Sequence, residues 1–244
     1  MRLIADLHVH TIASGHAYAT INEYIQAAKA KGLEMIAITD HGPALPGGPD
    51  ISYFGYLAIL PEEQDGVQIL TGVEANILDI HGKLDMTDRY LERLDIVLAG
   101  LHPPCYRCDD EVQNTKAVIN TMKNPLVDII VHPGNPTFPI NIEEVLAASR
   151  EYNCLLEINN SSLSGGARRG SRVNCLEIAK VMAREKMPVV LGSDAHYIDR
   201  MGSFEAALDL LKEAGISEEM VLNTSVDKIC NFLKENGKGK PFRY

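Results

Sequence analysis

Short apolar segments alternate with helical patterns along nearly all of this 244-residue sequence, and this alternation limits the fold more than any other feature. Most of the segments are continuously apolar, as expected of strands that are buried on both faces. Strands that alternate with helices form βα units around a parallel sheet, so the sequence predicts an α/β fold. Seven strands are predicted: Leu3 to Leu7, Met35 to Thr39, Gln68 to Val73, Ile96 to Ala99, Asp128 to Val131, Cys154 to Ile158, and Pro188 to Leu191.

Capping residues and apolar periodicity predict the helices between these strands. Thr20 followed by Glu23 is a capping box that predicts a helix over Ile21 to Lys31, and Asn141 followed by Glu144 is a similar signal. Apolar residues at i, i+3, i+4 and i+7 predict helices that face the core. Three such stripes are present: Cys175, Ile178, Ala179 and Met182; Phe204, Ala207, Leu208 and Leu211; and Val226, Ile229, Cys230 and Leu233.

Two stretches depart from the βα pattern. The segment from Gly42 to Gly66 is rich in proline and glycine, and we expect a loop near the functional site. The stretch from Asn76 to Asp85 predicts a small hairpin that turns at His81 and Gly82. No repeat and no linker-like composition divides the chain, so we expect a single domain over residues 1–244, a length at which α/β barrels commonly fold as one unit.

The charge balance limits the class of partner. With 23 Lys and Arg against 33 Asp and Glu, the formal charge is −10, which disfavours non-specific binding of nucleic acid and favours a small-molecule substrate. No apolar run approaches the ~18 residues of a membrane span. Five cysteines, an odd number, argue against a disulfide framework, and we expect a cytoplasmic protein. The oligomeric state is left open, a homo-oligomer included.

Most of the histidines come just after a predicted strand. The carboxyl ends of parallel strands meet at one rim of a sheet or barrel, where active sites of such folds are built. Polar residues at these ends would therefore become neighbours. They are His8 and His10 at the first strand, His41 after the second, Glu74 after the third, His102 after the fourth, His132 after the fifth, and Asp194 and His196 after the seventh.

Two spacings indicate metal binding at this rim. Residues i and i+2 of a strand share a face, and the chain has His8-x-His10 at one end and Asp194-x-His196 at the other. Imidazole and carboxylate ligands without thiolate suit zinc, iron or manganese. A single histidine after a strand is more often a hydrogen-bonded loop residue, and His81 is given that interpretation.

Six ordered motifs resemble those of the PHP (polymerase and histidinol phosphatase) superfamily, and the resemblance is closest to its small stand-alone bacterial phosphatases. It implies a distorted parallel (β/α)7 barrel, TIM-like, with the metal site at the carboxyl ends of the strands. The motifs are Asp6-Leu7-His8-Val9-His10, Thr39-Asp40-His41-Gly42, Gly72-Val73-Glu74, His132-Pro133-Gly134-Asn135, Glu157-Ile158-Asn159-Asn160-Ser161-Ser162, and Gly192-Ser193-Asp194-Ala195-His196.

The resemblance also implies a site for three divalent transition metals, with Zn²⁺ favoured over Mn²⁺ or Fe²⁺. Glu74 would bridge the first two metals. The first metal would be held by His8, His10, Glu74 and Asp194, the second by Glu74, His102 and His132, and the third by His16, His41 and His196.

Such a site predicts a metal-dependent phosphatase that hydrolyses phosphate monoesters, with a metal-bridging hydroxide as the nucleophile. No side chain stands out as the general acid. Arg168 and Arg169 are expected to bind the phosphate because an arginine fork matches its geometry, although a solvated loop is an equal alternative. Asn159 either orients the phosphate or closes a βα turn. Asp6 and Asp40 are expected either to accept imidazole N–H groups or to fix turns.

Two other classes of function stay open. One is a PHP-type phosphodiesterase or nuclease, which the −10 charge disfavours, and the other is a non-catalytic, metal-binding regulatory protein. The expected partner is a small phosphorylated metabolite of unspecified structure. Cys105-x-x-Cys108 lies just beyond His102, but a single C-x-x-C is a weak signal for metal or redox chemistry.

Overall fold

The seven predicted apolar runs form seven parallel strands of one sheet in the computed structural model, which describes residues 1–108, 110–165 and 168–237. An eighth, two-residue strand pairs antiparallel with its sequence neighbour. In chain order the strands are β1 Ala5–Val9, β2 Met35–Ile38, β3 Glu63–Gln64, β4 Val67–Asn76, β5 Ile96–Gly100, β6 Ile129–Ile130, β7 Leu155–Asn159 and β8 Val190–Gly192.

The parallel strands follow the order β1-β2-β4-β5-β6-β7-β8, and the two ends of this series meet. Val9 forms a parallel bridge with Ala195, and the amide of His10 donates to the Ala195 carbonyl at 2.9 Å. The amide of Asp194 donates to the His8 carbonyl at 3.0 Å. The result is the predicted distorted (β/α)7 barrel, nearly closed between its first and last strands.

Two strands extend by two or more residues beyond their predicted carboxyl ends. The prediction stopped at Leu7 and Val73, where the next side chains are polar, but β1 continues to Val9 and β4 to Asn76. His8 and Glu74 therefore lie within strands rather than after them. The ladder bonds of β4 with β5 continue through this region, so the polar side chains are held by regular strand geometry.

The helices surround the barrel, and the described residues include α1 Ile21–Lys31, α2 Ser52–Tyr56, α3 Asp88–Leu91, α4 Glu111–Met122, α5 Ile142–Glu151, α6 Asn160–Leu163, α7 Ser171–Glu185, α8 Glu205–Ala214 and α9 Val226–Glu235. The Thr20–Glu23 capping box is present and α1 has its predicted bounds. Asn141 caps α5 by accepting from the Glu144 amide. Short 3-10 turns lie at Ile12–Ser14, Leu57–Ile59, Ile198–Arg200, Glu218–Met220 and Leu222–Thr224.

The segment from Gly42 to Gly66 is not the continuous loop that we predicted. It contains α2, a 3-10 turn and β3, because apolar residues such as Phe54 and Leu57 are buried against the outside of the barrel. The predicted hairpin is present as an antiparallel bridge between Ile77 and Leu84. None of the helices among the described residues is both long and apolar enough to cross a bilayer.

The core has an outer and an inner part. The outer part fills the space between strands and helices, and the buried stripe of α7 contributes to it. The inner part is a cluster at the amino end of the barrel, formed by buried residues in or beside the strands together with residues of the last 3-10 turn and of α9. Its buried members are Ala5, Leu7, Met35, Ala37, Ile96, Leu98, Ile129, Val131, Leu155, Val190, Leu222, Ile229, Phe232 and Leu233. The carboxyl end of the barrel is thus left for polar side chains.

Candidate metal centre

Six imidazoles at the carboxyl end of the barrel lie in three close pairs. The nitrogens of each pair approach to hydrogen-bond distance. The Nε2···Nε2 distances are 3.0 Å for His8 and His10, 3.2 Å for His102 and His132, and 3.1 Å for His16 and His196. The first two pairs are buried, and the third lies at the edge of the cluster, where His16 is exposed.

The carboxylate of Glu74 lies between the two buried pairs. Its Oε1 is 3.0 Å from His102 Nε2 and 2.8 Å from His132 Nε2. Its Oε2 is 3.5 Å from His8 Nε2 and 3.4 Å from His10 Nε2. Each oxygen therefore faces one imidazole pair, which is the arrangement of a carboxylate that bridges two positions.

Asp194 and His41 complete the cluster. Asp194 Oδ1 lies 3.3 Å from His10 Nε2 and 3.5 Å from His196 Nδ1, and His41 Nδ1 lies 2.6 Å from Glu74 Oε2. None of these three atoms, Asp194 Oδ1, Glu74 Oε2 and His41 Nδ1, has a partner in hydrogen-bond geometry although all are buried. Buried polar atoms without partners are costly, and atoms that point at a common space indicate a cation there.

The partners of two δ nitrogens show where the lone pairs of their imidazoles point. His8 Nδ1 lies 2.7 Å from Glu157 Oε1, and His102 Nδ1 lies 2.7 Å from Asn76 Oδ1. Carboxylate and amide oxygens accept, so each Nδ1 donates its proton. In a neutral imidazole the lone pair then lies on Nε2, which faces the centre of the cluster.

The same reasoning holds for His10 and His196. Ser14 Oγ gives its proton to Asp40 Oδ1 at 2.6 Å and lies 3.0 Å from His10 Nδ1, so this nitrogen donates to the hydroxyl. His196 Nδ1 lies 3.1 Å from the Asp194 carbonyl and donates to it. Four Nε2 lone pairs therefore face the centre of the cluster, where they lie opposite other nitrogens or carboxylate oxygens. When His8 and His10 are both neutral, no proton donor among the described residues lies between their Nε2 atoms.

The residues present fit a group of metal ions. Two nitrogens that share a tetrahedral zinc with Zn–N of about 2.0–2.1 Å stand about 3.3–3.4 Å apart, close to the spacing of the three pairs. Imidazole Nε2 with carboxylate oxygen and no thiolate is the donor set of zinc, iron and manganese sites. Three groups of side chains bring their ligand atoms within 4.8 Å of one another: His10, His41 and His196; His8, His10 and Asp194; and His41, Glu74 and His102.

The electrostatics of the cluster keep the carboxylates ionised. Burial alone would raise the pKa of Glu74, but His102 and His41 hold it well below its usual range. Burial likewise opposes ionisation of Asp194, whose pKa is held well below its usual range by Arg168 and His8. Both carboxylates are therefore available as anionic ligands at neutral pH.

Two imidazoles are kept neutral, as a metal ligand must be. Burial, followed by the nearby His41, lowers the pKa of His10 well below its usual range. Burial and Arg168 lower the pKa of His132 to about 4. The pKa of His8 moves the other way: burial opposes protonation, but Glu157 and the other carboxylates raise the pKa well above its usual range. This surplus of negative charge around His8 is what a cation at its Nε2 would offset.

Glu157 is a site residue that we did not predict. It is 2% exposed, and its two oxygens contact three groups: His8 Nδ1 at 2.7 Å, the His132 amide at 2.9 Å and Asn159 Nδ2 at 3.0 Å. A carboxylate that orients a metal-binding imidazole fixes its tautomer and raises its basicity. A charged residue inside the otherwise apolar predicted strand Cys154 to Ile158 was the signal that could have identified it.

Gly192 makes the position of Glu157 possible. A Cβ on Gly192 would collide with Glu157 Oε1 and would lie 2.7 Å from the Cβ of His8. Any other residue at this point of β8 would displace the carboxylate or the imidazole that it orients. The glycine of the Gly192-Ser193-Asp194 motif is thus explained by close packing, since its backbone has no positive φ.

Of the two roles predicted for Asp6 and Asp40, the structure shows the fixing of turns and backbone, and neither carboxylate contacts an imidazole directly among the described residues. Asp6 accepts from the amides of His8, Ser193 and Gly202 rather than from an imidazole, and it joins β1 to the segment after β8. Asp40 accepts from Thr11, Ser14 and Tyr53, and it reaches His10 through the Ser14 hydroxyl. Sequence reasoning missed Ser14 and Asn76 because only the folded register brings them to a ring nitrogen.

The backbone is strained at two of the predicted ligands. His132 has φ of 38° and Asp194 has φ of 55°, both in the left-handed region that few non-glycine residues adopt. Such conformations persist where surrounding contacts fix them, and they are common at functional sites. Here the His132 amide donates to Glu157 and the Asp194 amide to the His8 carbonyl, which holds both side chains over the barrel.

The structure separates the two predicted arginines. Arg168 Nη1 lies 2.8 Å from Asp194 Oδ2 and donates to Ser162 Oγ at 3.3 Å, so its guanidinium lies at the cluster. Arg169 is exposed, and no contact joins it to the cluster among the described residues. Asn159 lies at the site: its Nδ2 donates to Glu157 and to Asp194 Oδ2, and its Oδ1 caps α6 by accepting from Ser162. The predicted role in closing a βα turn is observed, and the role in orienting phosphate stays a prediction.

Cys105 and Cys108 lie beside the rim but contribute nothing to the cluster. All five cysteines of the chain are free. Burial and the nearby Asp85 raise the pKa of the Cys105 thiol to about 11, so it is protonated and a weak metal ligand at neutral pH. His81 lies in the exposed turn, as expected.

A pocket of 440 Å³ opens over the metal-binding side chains, and we call it the rim pocket. Its floor includes His16, His41, His102, Asp194 and His196. Arg168 and Asn135 provide polar walls, and the apolar walls come from Leu45, Pro46, Leu101, Pro103 and Pro104. The predicted position of the Gly42–Gly66 segment near the site is confirmed by Leu45 and Pro46. The volume is typical of a small-molecule site.

Comparisons with known proteins agree with this geometry. The protein-family model described as "PHP domain" matches residues 6–127 of the sequence. A probable phosphatase of Thermoanaerobacter sp. (strain X514) is 52% identical over 236 residues, covering 96% of each chain, and one of Proteus mirabilis is 47% identical over 233 residues, covering 96% of this chain and 95% of that protein. Among solved structures, the histidinol phosphate phosphatase of Lactococcus lactis, complexed with zinc, L-histidinol and phosphate, shares the fold with a TM-score of 0.62 at 17% identity, covering 87% of this chain and 94% of that one.

Proposed function

The chain belongs to the PHP domain family, and on that premise we propose that it is a metal-dependent phosphatase that hydrolyses phosphate monoesters. The observation that carries the proposal is the set of inward-facing Nε2 lone pairs around the buried carboxylates Glu74 and Asp194. Such a set binds cations, and phosphatase is the activity named for relatives that match nearly the whole chain. We also propose that residues 1–244 form one domain and that the protein works in the cytoplasm, in agreement with its five free cysteines.

The proposed site holds three divalent transition metals, with Zn²⁺ favoured over Mn²⁺ and Fe²⁺. Each imidazole pair would belong to one metal, and Glu74 would be shared by two because each of its oxygens faces a different pair. The three ligand sets would be His8, His10, Glu74 and Asp194; Glu74, His102 and His132; and His16, His41 and His196.

When bound, metals of this kind lower the pKa of water and offset the charge of a phosphoryl group. The side chains of the protein position the substrate. Arg168 lines the rim pocket, and its Nη1 holds Asp194 and Ser162. Its other guanidinium nitrogens make no hydrogen bond or ion pair among the described residues. They can donate to phosphate oxygens. Asn159 supports this arrangement by donating to Asp194 Oδ2, which leaves Oδ1 as the oxygen that would hold a metal.

The rim pocket favours a small phosphorylated metabolite as the substrate. Its volume accommodates a single small molecule, and an overall charge of −10 gives a nucleic-acid backbone little to bind. The structural neighbour acts on histidinol phosphate, as its name states, so L-histidinol phosphate belongs among the compounds tested.

The test is a metal analysis beside a substrate panel. Purified protein should carry close to three transition-metal equivalents and should hydrolyse p-nitrophenyl phosphate and other monoesters faster than bis(p-nitrophenyl) phosphate, with activity lost on chelation and restored by added metal. Faster hydrolysis of the diester would favour the phosphodiesterase alternative. Three metals without measurable hydrolysis of either ester would favour a non-catalytic role, and one metal or none would refute the proposed site.

A further inference from the structure

The rim pocket shares part of its lining with a second pocket. This second pocket measures 410 Å³ and shares Ser161, Asp194 and His196 with the rim pocket. Its outer walls are formed by Tyr18, Tyr197 and Arg200. We call this part the polar arm, defined by Tyr18, Ser161, Ser164, Tyr197, Arg200 and Ser203.

A third, open pocket of 690 Å³ shares a different set of lining residues with the rim pocket. The two share Pro103, Pro104 and Thr137, and the far wall carries Tyr106, Phe138 and Arg107. We call this part the apolar arm, defined by Pro103, Pro104, Tyr106, Arg107, Thr137 and Phe138. The rim pocket thus adjoins two pockets whose linings differ in chemistry.

The backbone of the polar arm is held by hydrogen bonds from other elements, whereas its Ser164 and Ser203 hydroxyls donate only to nearby backbone carbonyls. Lys31 Nζ donates to the carbonyls of Ile198, Asp199 and Met201 at 2.7 to 3.0 Å, and the Gly202 amide donates to buried Asp6 at 2.8 Å. The 3-10 turn that carries Arg200 is therefore pinned to α1 and β1. A fixed backbone reduces the entropic cost of using its side chains for binding.

The opposite wall of the polar arm is fixed in the same way. The Tyr18 amide donates to the His196 carbonyl at 2.9 Å, which holds Tyr18 beside the edge of the cluster. Tyr18 is 75% exposed and Tyr197 is 48% exposed, so both rings stand open at the mouth of the arm. No hydrogen bond or ion pair engages their hydroxyls, or the Arg200 guanidinium, among the described residues.

The charge of the polar arm selects the kind of group that fits it. Asp194 is the one carboxylate among the described residues that line this pocket, and it is already held by Arg168. Besides the His196 imidazole and the Asn160 amide, the remaining polar groups are hydroxyls and one guanidinium, which suits an anionic, hydroxyl-bearing molecule. A leaving group with a positive charge would meet Arg200 and find no free carboxylate.

We propose that the polar arm binds the leaving group of the substrate, and that this leaving group is a hydroxyl-bearing carbon chain or sugar with a second anionic group. Arg200 binds the second anion, and Tyr18, Tyr197 and Ser161 contact the hydroxyls and the carbon skeleton. The inference rests on the proposed monoesterase activity and adds the class of substrate to it.

Two phosphate monoesters that differ at a single position test this inference. 3-Phosphoglycerate has a carboxylate where glycerol 3-phosphate has a CH₂OH group. The wild-type enzyme should prefer 3-phosphoglycerate, and Arg200→Ala should lower kcat/KM for it by about 10- to 100-fold, the range for losing a hydrogen bond to a charged group. The same variant should change kcat/KM for glycerol 3-phosphate and for p-nitrophenyl phosphate less than about 3-fold.

Arg107→Ala is the matched control, because Arg107 is an exposed arginine at the far end of the apolar arm. It should leave the preference for 3-phosphoglycerate unchanged. A second readout is independent of turnover of that ester: glycerate should inhibit hydrolysis of p-nitrophenyl phosphate competitively in the wild type and about 10-fold more weakly in Arg200→Ala.

Three results would overturn the inference: no preference between the two esters, an equal effect of Arg200→Ala on all three substrates, or loss of the preference in Arg107→Ala instead. In each case p-nitrophenyl phosphate is still hydrolysed, and the proposed function stands. If the wild type hydrolyses none of the three esters, the proposed function itself has failed.

Discussion

The two ends of the barrel are built from the same strands but bury opposite kinds of side chain. At the amino end, residues such as Leu7, Met35 and Leu98 pack against α9. At the carboxyl end, a few residues further along, His8 and Glu74 are equally inaccessible to solvent yet polar. Burial of the apolar end stabilises the folded protein, whereas the polar end contains buried charges and polar atoms without partners, which need a counter-charge. The amino end of the barrel therefore contributes mainly to the stability of the fold, and the carboxyl end carries the proposed function.

Removing Glu74 should produce the largest effect at the polar end. In Glu74→Gln, two positions lose the shared anionic ligand, so two metals should be lost together and kcat/KM should fall by about 10³-fold, equivalent to several kcal/mol. Metal analysis and kinetics check this, with Glu143→Gln on the surface of α5 as the control. Loss of a single metal would contradict the bridging role.

A change at the apolar end should affect stability and leave the site intact. Ile229 is fully buried in α9, and Ile229→Ala should cost about 2–5 kcal/mol in the free energy of unfolding. Metal content and kcat should stay unchanged. Denaturant unfolding measures the effect, and Ile59→Ala is the control. Because Ile59 is 88% exposed, this substitution should change the free energy of unfolding by less than about 0.5 kcal/mol. Loss of metal in Ile229→Ala would show that the two ends are coupled.

Glu157→Gln should weaken metal binding without removing a ligand. The amide can accept from one partner, but its NH₂ group then opposes the N–H of another, so His8 or the His132 backbone is no longer held. We expect metal affinity to fall about 10- to 100-fold. Titration of the metal-free protein with Zn²⁺ measures it, and exposed Glu151→Gln is the control. Unchanged metal affinity would contradict a role for Glu157 in orienting the metal-binding side chains.

Substitution of the two arginines after α6 should have the smallest effects on catalysis, and the effects of the two substitutions should differ. Arg168→Ala should raise KM for a monoester, and the inhibition constant of inorganic phosphate, by about 10-fold because a charged donor is lost from the rim pocket. Arg169→Ala should change both by less than about 2-fold, since Arg169 is exposed. Equal effects of the two substitutions would contradict the assignment of Arg168 as the phosphate-binding arginine.

The apolar end of this molecule was predictable from sequence, and the polar end only in part. Seven strands could be located because their buried residues are apolar in a continuous run, and the carboxyl-end positions of the histidines follow from that. The second layer of contacts could not be predicted. Whether Ser14 or Asp40 faces a ring nitrogen depends on turn geometry, and the reach of Arg168 depends on a loop. Gly192 illustrates the limit, since its role appears only when β7 and β8 are paired.

The central claim is that the polar end of the barrel holds three metals, one at each imidazole pair. Anomalous scattering from crystals of the protein grown with Zn²⁺, recorded on both sides of the zinc absorption edge, locates each metal directly. We expect three anomalous peaks. They should lie beside Nε2 of His8 and His10, beside Nε2 of His102 and His132, and beside Nε2 of His16 and His196. A single peak, or none within the cluster, would contradict it.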